Sequence, residues 1–129
     1  MRLNQVTVPC TDYGASVAFY TTLGLVQIVD SPPRYARFEC PQSEDGSEPA
    51  TFSLHHVEDW PGGDDPLVYF ECDRLDETYE DLTGQGIVFE QSPADQRWGW
   101  REARLRDPAG NLLCLYQAGE MRRFPPWRI

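Results

Sequence analysis

His55, on a predicted strand Ala50 to Val57, and Glu71, on a predicted strand Leu67 to Cys72, are the side chains of this sequence best suited to acid–base chemistry. A carboxylate walled by aromatic rings is desolvated, which raises its pKa toward the range of a general base, and an imidazole is a suitable partner for it. The same pair could equally hydrogen-bond a ligand without reacting with it. Tyr69, Trp98, Trp100 and Tyr116 supply flat apolar walls, and with Glu71 they suit a planar or aromatic compound bearing a basic or amide group. These tryptophans could also be core or dimer-interface anchors. His56 falls on the opposite face of its strand and is expected to be structural or exposed.

Other chemistries are excluded by what the sequence lacks. No lysine occurs, which removes Schiff-base chemistry and the phosphate-loop lysine, and neither Gly-x-Gly-x-x-Gly nor Gly-x-Ser-x-Gly is present. The four cysteines, Cys10, Cys40, Cys72 and Cys114, form no Cys-x-x-Cys pair, so reduced and mostly buried thiols are expected. The net charge is −10 and its distribution is uneven: residues 58–96 carry twelve acids against Arg74, and residues 97–129 seven arginines against three acids. Such a chain repels nucleic acid and anionic membranes. With no apolar run of signal-peptide or membrane-span length, a cytoplasmic location is expected.

The elements that position these residues can be read in order. Strand Leu3 to Val8 ends at Pro9, and Thr11 or Asp12 caps a helix with Ala15, Ala18, Phe19, Thr22 and Leu23 on one face and Gly24 as its stop. Strands Leu25 to Val29, Tyr35 to Cys40 and Ala50 to Val57 follow, with a turn at Ser31-Pro32-Pro33 and a polar loop over Pro41 to Pro49. After a proline- and glycine-rich stretch from Glu58 to Pro66 the pattern repeats. Strand Leu67 to Cys72 leads to a helix capped by Asp73 with Leu75, Thr78, Tyr79 and Leu82 on one face, then a strand Ile87 to Glu90. The flanks Trp100 to Arg106 and Leu112 to Tyr116 pair across the turn Asp107-Pro108-Ala109-Gly110-Asn111. The two helices align at an offset of sixty residues, so the chain carries an internal duplication. An α+β fold follows: two tandem βαβββ modules whose curved mixed sheets surround a cavity, with the helices outside. Module one is residues 1–57, the linker 58–66, module two 67–117 and a C-terminal tail 118–129. Phe124, Trp127 and Ile129 are expected to pack on the body or on a second subunit. On the strand from Trp100 to Arg106, alternation sends inward either Arg101 or the Glu102 and Arg104 pair.

Three stretches carry a resemblance: the aromatic run Trp98-Gly99-Trp100-Arg101 with Leu105-Arg106-Asp107-Pro108-Ala109-Gly110-Asn111, the opening Leu3 to Val8, and Ala18-Phe19-Tyr20 with Leu23-Gly24-Leu25. Together they resemble the vicinal oxygen chelate superfamily, which includes glyoxalase I, bleomycin-resistance proteins and extradiol dioxygenases. The resemblance spans nearly the whole chain; it implies the fold and a homodimer with modules paired within or between chains, while the function varies widely on this scaffold.

Members that do chemistry usually hold a divalent metal with residues from the first, fourth, fifth and eighth strands. Carried over, those positions are Gln5, Ser53, Leu67 and Cys114, a poor donor set. The expectation is therefore no metal and no cofactor, in a protein that binds or sequesters an aromatic or cationic small molecule through His55, Glu71, Gln5, Tyr69, Trp98, Trp100, Arg101, Cys114 and Tyr116. The alternative is one divalent metal at a shifted site using His55, Glu71, Tyr116 and Gln5, giving a glyoxalase-like lyase or isomerase, or a dioxygenase.

Overall fold

The computed structural model describes residues 1–41 and 46–129, so the middle of the loop expected over Pro41 to Pro49 lies outside the described residues. Its elements run β1 (Gln5–Cys10), α1 (Tyr13–Thr22), β2 (Val26–Ser31), β3 (Tyr35–Glu39), β4 (Thr51–His56), β5 (Gly63–Glu71), α2 (Leu75–Gly84), β6 (Phe89–Asp95), β7 (Arg101–Arg106) and β8 (Asn111–Gln117). A short 3₁₀ turn, Gly119–Arg122, follows. The two four-stranded sheets have orders β1-β4-β3-β2 and β5-β8-β7-β6. In each, the first and last strands of a βαβββ module pair in parallel and the others antiparallel. The α+β reading with two tandem modules is therefore correct.

The chain divides into two compact units, Met1–Gly62 with Asp107–Gly110, and Gly63–Arg106 with Asn111–Ile129. In the first, α1 starts because Asp12 accepts a hydrogen bond from the Ala15 amide at 3.0 Å, satisfying one of the unpaired N–H groups of the first turn. The buried face of α1 is Ser16 and Tyr20, and the expected stripe is corrected: Ala15 and Ala18 are exposed. The ring of Tyr20 decides the rotation, since it fills the space beside Phe52 and Phe38 at centroid distances of 4.6 and 6.1 Å. Strand β1 continues through Pro9, where it was expected to end. It lies at the sheet edge, where a residue without an N–H is tolerated. Alternation gives this sheet one face with Phe38, Phe52, Leu54 and Ala36, all essentially buried, and an opposite face with Gln5, Ser53, Arg37 and Tyr35.

In the second unit, strand β5 begins at Gly63, inside the stretch read as a linker, because Gly63 already pairs with Asn111 before the register shifts toward Val68. Strand β6 runs to Asp95, beyond the expected Glu90, and two register irregularities accommodate Ser92-Pro93-Ala94 against β7. Asp73 does not cap α2. The cap position is Arg74 with no side-chain bond, and the Leu75 amide donates to Gln117 Oε1 at 3.0 Å instead. Leu75 and Leu82 are the buried residues of this helix, which packs on β6, β7 and β8. Ala103, Leu105, Leu113 and Leu115 are 0–3% exposed and share one sheet face. All four cysteines are free thiols, Cys10 and Cys114 buried and Cys40 and Cys72 partly so. Phe124, Trp127 and Ile129 stay exposed on this chain at 56, 61 and 118%, so they do not pack on its body.

Candidate functional site

Register settles the parity of β7. Glu102 lies opposite Tyr116 and Arg104 opposite Cys114, which itself lies opposite Tyr69 on β5, so these five side chains share the face away from α2. Arg101 goes the other way, where its guanidinium clasps Asp76 of α2 at 3.0 Å and Asp95 of β6 at 2.9 Å.

Three aromatic rings on the inner face form a wall. Trp100 stacks on Tyr116 with centroids 4.7 Å apart and planes 26° apart, and Tyr69 meets both edge-on at 6.0 and 5.5 Å. Behind them Glu102 is 1% exposed, its carboxylate accepting from Trp98 Nε1 at 3.0 Å and facing Arg104 Nη2 at 3.5 Å. The Nε of Arg104 is buried with no hydrogen-bond partner, which leaves an unused donor in this layer. Burial, and then the Glu102 carboxylate, push the Cys114 thiol up to about 12, so it is a neutral thiol at ordinary pH. Burial, followed by the charge of Glu71, also raises Tyr116.

A cleft of about 500 Å³ opens beside this wall, lined by Trp100, Arg101, Glu71, Asp73, Asp95 and Gln117 among others. Its size is that of a small-molecule pocket, commonly about 300–1,000 Å³. Gly99 borders it with φ at +88°, a left-handed conformation that favours glycine, and Met121 of the segment after β8 packs against its Cα. Arg122, at the end of the 3₁₀ turn, pairs with Glu71 at 3.3 Å. The expected desolvated Glu71 is corrected: its side chain is 38% exposed and ion-paired, because it ends an edge strand at the cleft mouth.

The remaining expected site residues belong to the first unit. His55 is exposed on β4, opposite Tyr35, rather than enclosed, and His56 is half-buried. Gln5 is part of a hydrogen-bonded row: its Nε2 donates to Ser53 Oγ at 2.6 Å and its Oε1 accepts from Thr51 Oγ1 at 2.5 Å. Ser53 Oγ also lies 2.8 Å from the Tyr35 hydroxyl, which accepts from Arg37 Nε at 2.9 Å. Tyr35, Arg37, Asp95 and Gln117 were not picked out from sequence; the available signal was register, which sets Tyr35 and Arg37 on the face of Ser53 and puts Asp95 and Gln117 opposite Arg101.

A family model described as Glyoxalase/Bleomycin resistance protein/Dioxygenase superfamily matches residues 2–115. The chain belongs to that superfamily. It is 29% identical over 132 residues to the uncharacterized protein YraH of Bacillus subtilis (strain 168), a match covering 91% of this chain and 98% of the relative. Among solved structures it is similar to a glyoxalase/bleomycin resistance protein/dioxygenase from Nocardioides, with a TM-score of 0.76 and 26% identity over 100% of this chain and 89% of that one. A bleomycin resistance determinant encoded on transposon Tn5 has a similar fold, with a TM-score of 0.71 and 22% identity over 92% of this chain and 99% of that one.

In this superfamily member, the four positions that the resemblance assigns to a divalent metal do not fit one. Gln5 has its amide oxygen engaged by Thr51, Ser53 offers a hydroxyl held by Gln5 and Tyr35, Leu67 has no donor, and Cys114 supplies a single sulfur. A single sulfur beside an amide and a hydroxyl already engaged in hydrogen bonds is a poor donor set for a divalent metal of the usual carboxylate, imidazole or thiolate kind. Among the described residues no group of three or more His, Cys, Asp or Glu side chains is placed to hold a metal ion. Among the described residues no helix is long and apolar enough to cross a membrane.

Proposed function

We propose that this protein binds a small planar aromatic ligand bearing a basic group, in the cleft of the second unit and without a metal. The observation that carries this reading is the stacked Trp100 and Tyr116 pair, with Tyr69 edge-on, beside a cleft whose carboxylates Glu71, Asp73 and Asp95 outnumber its one cation, Arg101. Arg101 pairs with Asp76 and Asp95 and Arg122 with Glu71, so with Asp73 four carboxylates face two cations and the local balance is negative. A flat ring laid on Trp100 would gain stacking, and a cationic group near Glu71 and Asp73 would gain charge-assisted hydrogen bonds. The chain's net charge of −10 would speed the approach of such a cation.

The test is tryptophan fluorescence titrated with cationic aromatic compounds, bleomycin-like glycopeptides among them. Saturable quenching is expected, weakened about three- to tenfold in Trp100→Ala, the worth of one aromatic contact, and weakened also in Glu71→Gln. A flat signal across the panel from folded protein would overturn the reading.

The working form is proposed to be a homodimer. The exposed Phe124, Trp127 and Ile129 of the tail support this, since their apolar surface finds no cover on their own chain.

A further inference from the structure

Four arginines of this chain are half-buried: Arg37, Arg101, Arg104 and Arg106. Three have carboxylates to neutralise them: Arg101 has Asp76 and Asp95, Arg104 has Glu102, and Arg106 has Asp64 and Glu90. Among the described residues Arg37 has none within ion-pair distance. A half-buried guanidinium held in place without a counter-charge is poised to take one from a ligand through charge-assisted hydrogen bonds.

The surroundings of Arg37 hold it in one orientation. Its Nε donates to the Tyr35 hydroxyl at 2.9 Å and its Cζ lies 5.5 Å from the centre of that ring. A count of protons then shows what remains unused. Ser53 Oγ accepts from Gln5 Nε2, so its own proton is available to the Tyr35 oxygen 2.8 Å away. Either hydroxyl of that pair can donate; in the arrangement where Ser53 donates, the Tyr35 oxygen accepts from both Arg37 and Ser53 and its own O–H is free for a ligand. Arg37 keeps its terminal N–H groups free, since among the described residues nothing accepts from them.

We propose that the face of the first sheet opposite α1 holds an oxyanion, the carboxylate or phosphate group of a small molecule, between the terminal nitrogens of Arg37 and the hydroxyl of Tyr35. The row Thr51, Gln5 and Ser53 positions the Tyr35 hydroxyl. The chain's net charge of −10 opposes anions at long range, so recognition rests on these short contacts and not on the overall field. This site is built from residues of the first unit and the aromatic cleft from residues of the second.

Calorimetric titration with inorganic phosphate and with acetate, at constant ionic strength, tests the proposal. One saturable site per chain is expected for at least one of the two, and which anion binds identifies the group as phosphate or carboxylate. Arg37→Gln should weaken binding roughly tenfold or more, the worth of a charge-assisted hydrogen bond, and Tyr35→Phe, which removes one oxygen, should weaken it several-fold. Trp100→Ala and Glu71→Gln should leave it unchanged, which distinguishes it from binding in the cleft. Absence of saturable binding for both anions, or unchanged affinity in Tyr35→Phe or in a folded Arg37→Gln protein, would overturn it.

Discussion

The hydroxyl of Tyr20 donates to Asp107 Oδ2 across 2.7 Å, so the middle of α1 is bonded to a turn 87 residues further along the chain. Tyr20 is 0% exposed and Asp107 4%. Asp107 also shapes its own turn, accepting from the Ala109 amide at 3.0 Å while Gly110, with φ at +85°, closes it. Burial, then the neighbouring carboxylate, raises the Tyr20 phenol far above its ordinary range, so it is always a donor here.

Tyr20→Phe keeps the ring that packs on Phe52 and removes only the donor to a buried carboxylate. Such a loss costs about 1–3 kcal/mol. Urea unfolding should show a lowered midpoint at unchanged slope; a midpoint equal to that of the parent would mean the bond contributes nothing net.

Alkaline pH should destabilise the protein through its buried thiols. Burial pushes Cys114 from its ordinary 9.0 up to about 12 and Cys72 up to about 11. Between those limits the unfolded chain has released protons that the folded one retains, so stability is full below pH 9 and declines as pH rises. The slope is about 1.4 kcal/mol per pH unit for each group. Unfolding free energies measured from pH 8 to pH 10.5 should follow this decline, and Cys114→Ala should remove part of the slope.

Metal content should be low and insensitive to His55. Nickel, zinc, manganese or iron added to purified protein should leave less than one tightly held ion per chain after dialysis, measured by elemental analysis. His55→Ala should not change the result. One ion per chain, lost in that variant, would restore the shifted metal site and its lyase chemistry.

Light scattering at micromolar concentration should give the mass of a dimer. Removal of the exposed apolar tail residues by Phe124→Ser with Trp127→Ser should shift the population toward monomer. A parent protein that is monomeric throughout would refute the assembly.

Much of the fold was legible because it rests on local chemistry. The Asp12 cap, the turn Asp107–Gly110 and the duplicated helices all announce themselves in residue type and spacing. The rotation of α1 was not, because Tyr20 is apolar by its ring and polar by its hydroxyl, and only tertiary packing with Phe38, Phe52 and Asp107 turns it inward. The start of α2 was misread for a similar reason: its amide is satisfied by Gln117, forty-two residues away, and not by the neighbouring Asp73.

Site residues divided along the same line. The aromatic wall of Tyr69, Trp100 and Tyr116 was readable from composition. The choice between Arg101 and the Glu102 and Arg104 pair depended on which residue of β7 sits opposite Cys114, a register that strand alternation alone leaves open. His55 and Glu71 have the right functional groups, but exposure and the ion pair with Arg122 change what those groups can do.

The membership of Asp107–Gly110 in the first compact unit bears on how this protein is made. A ribosome delivers Met1–Gly62 early, yet the partner of Tyr20 emerges only after α2, β6 and β7 have been synthesised. The Tyr20–Asp107 bond of the amino-terminal unit can therefore form only once that turn has been synthesised. A fragment ending at Gly62 would lack the turn altogether, so the duplicated modules cannot be separated by a single cut without leaving the first one incomplete.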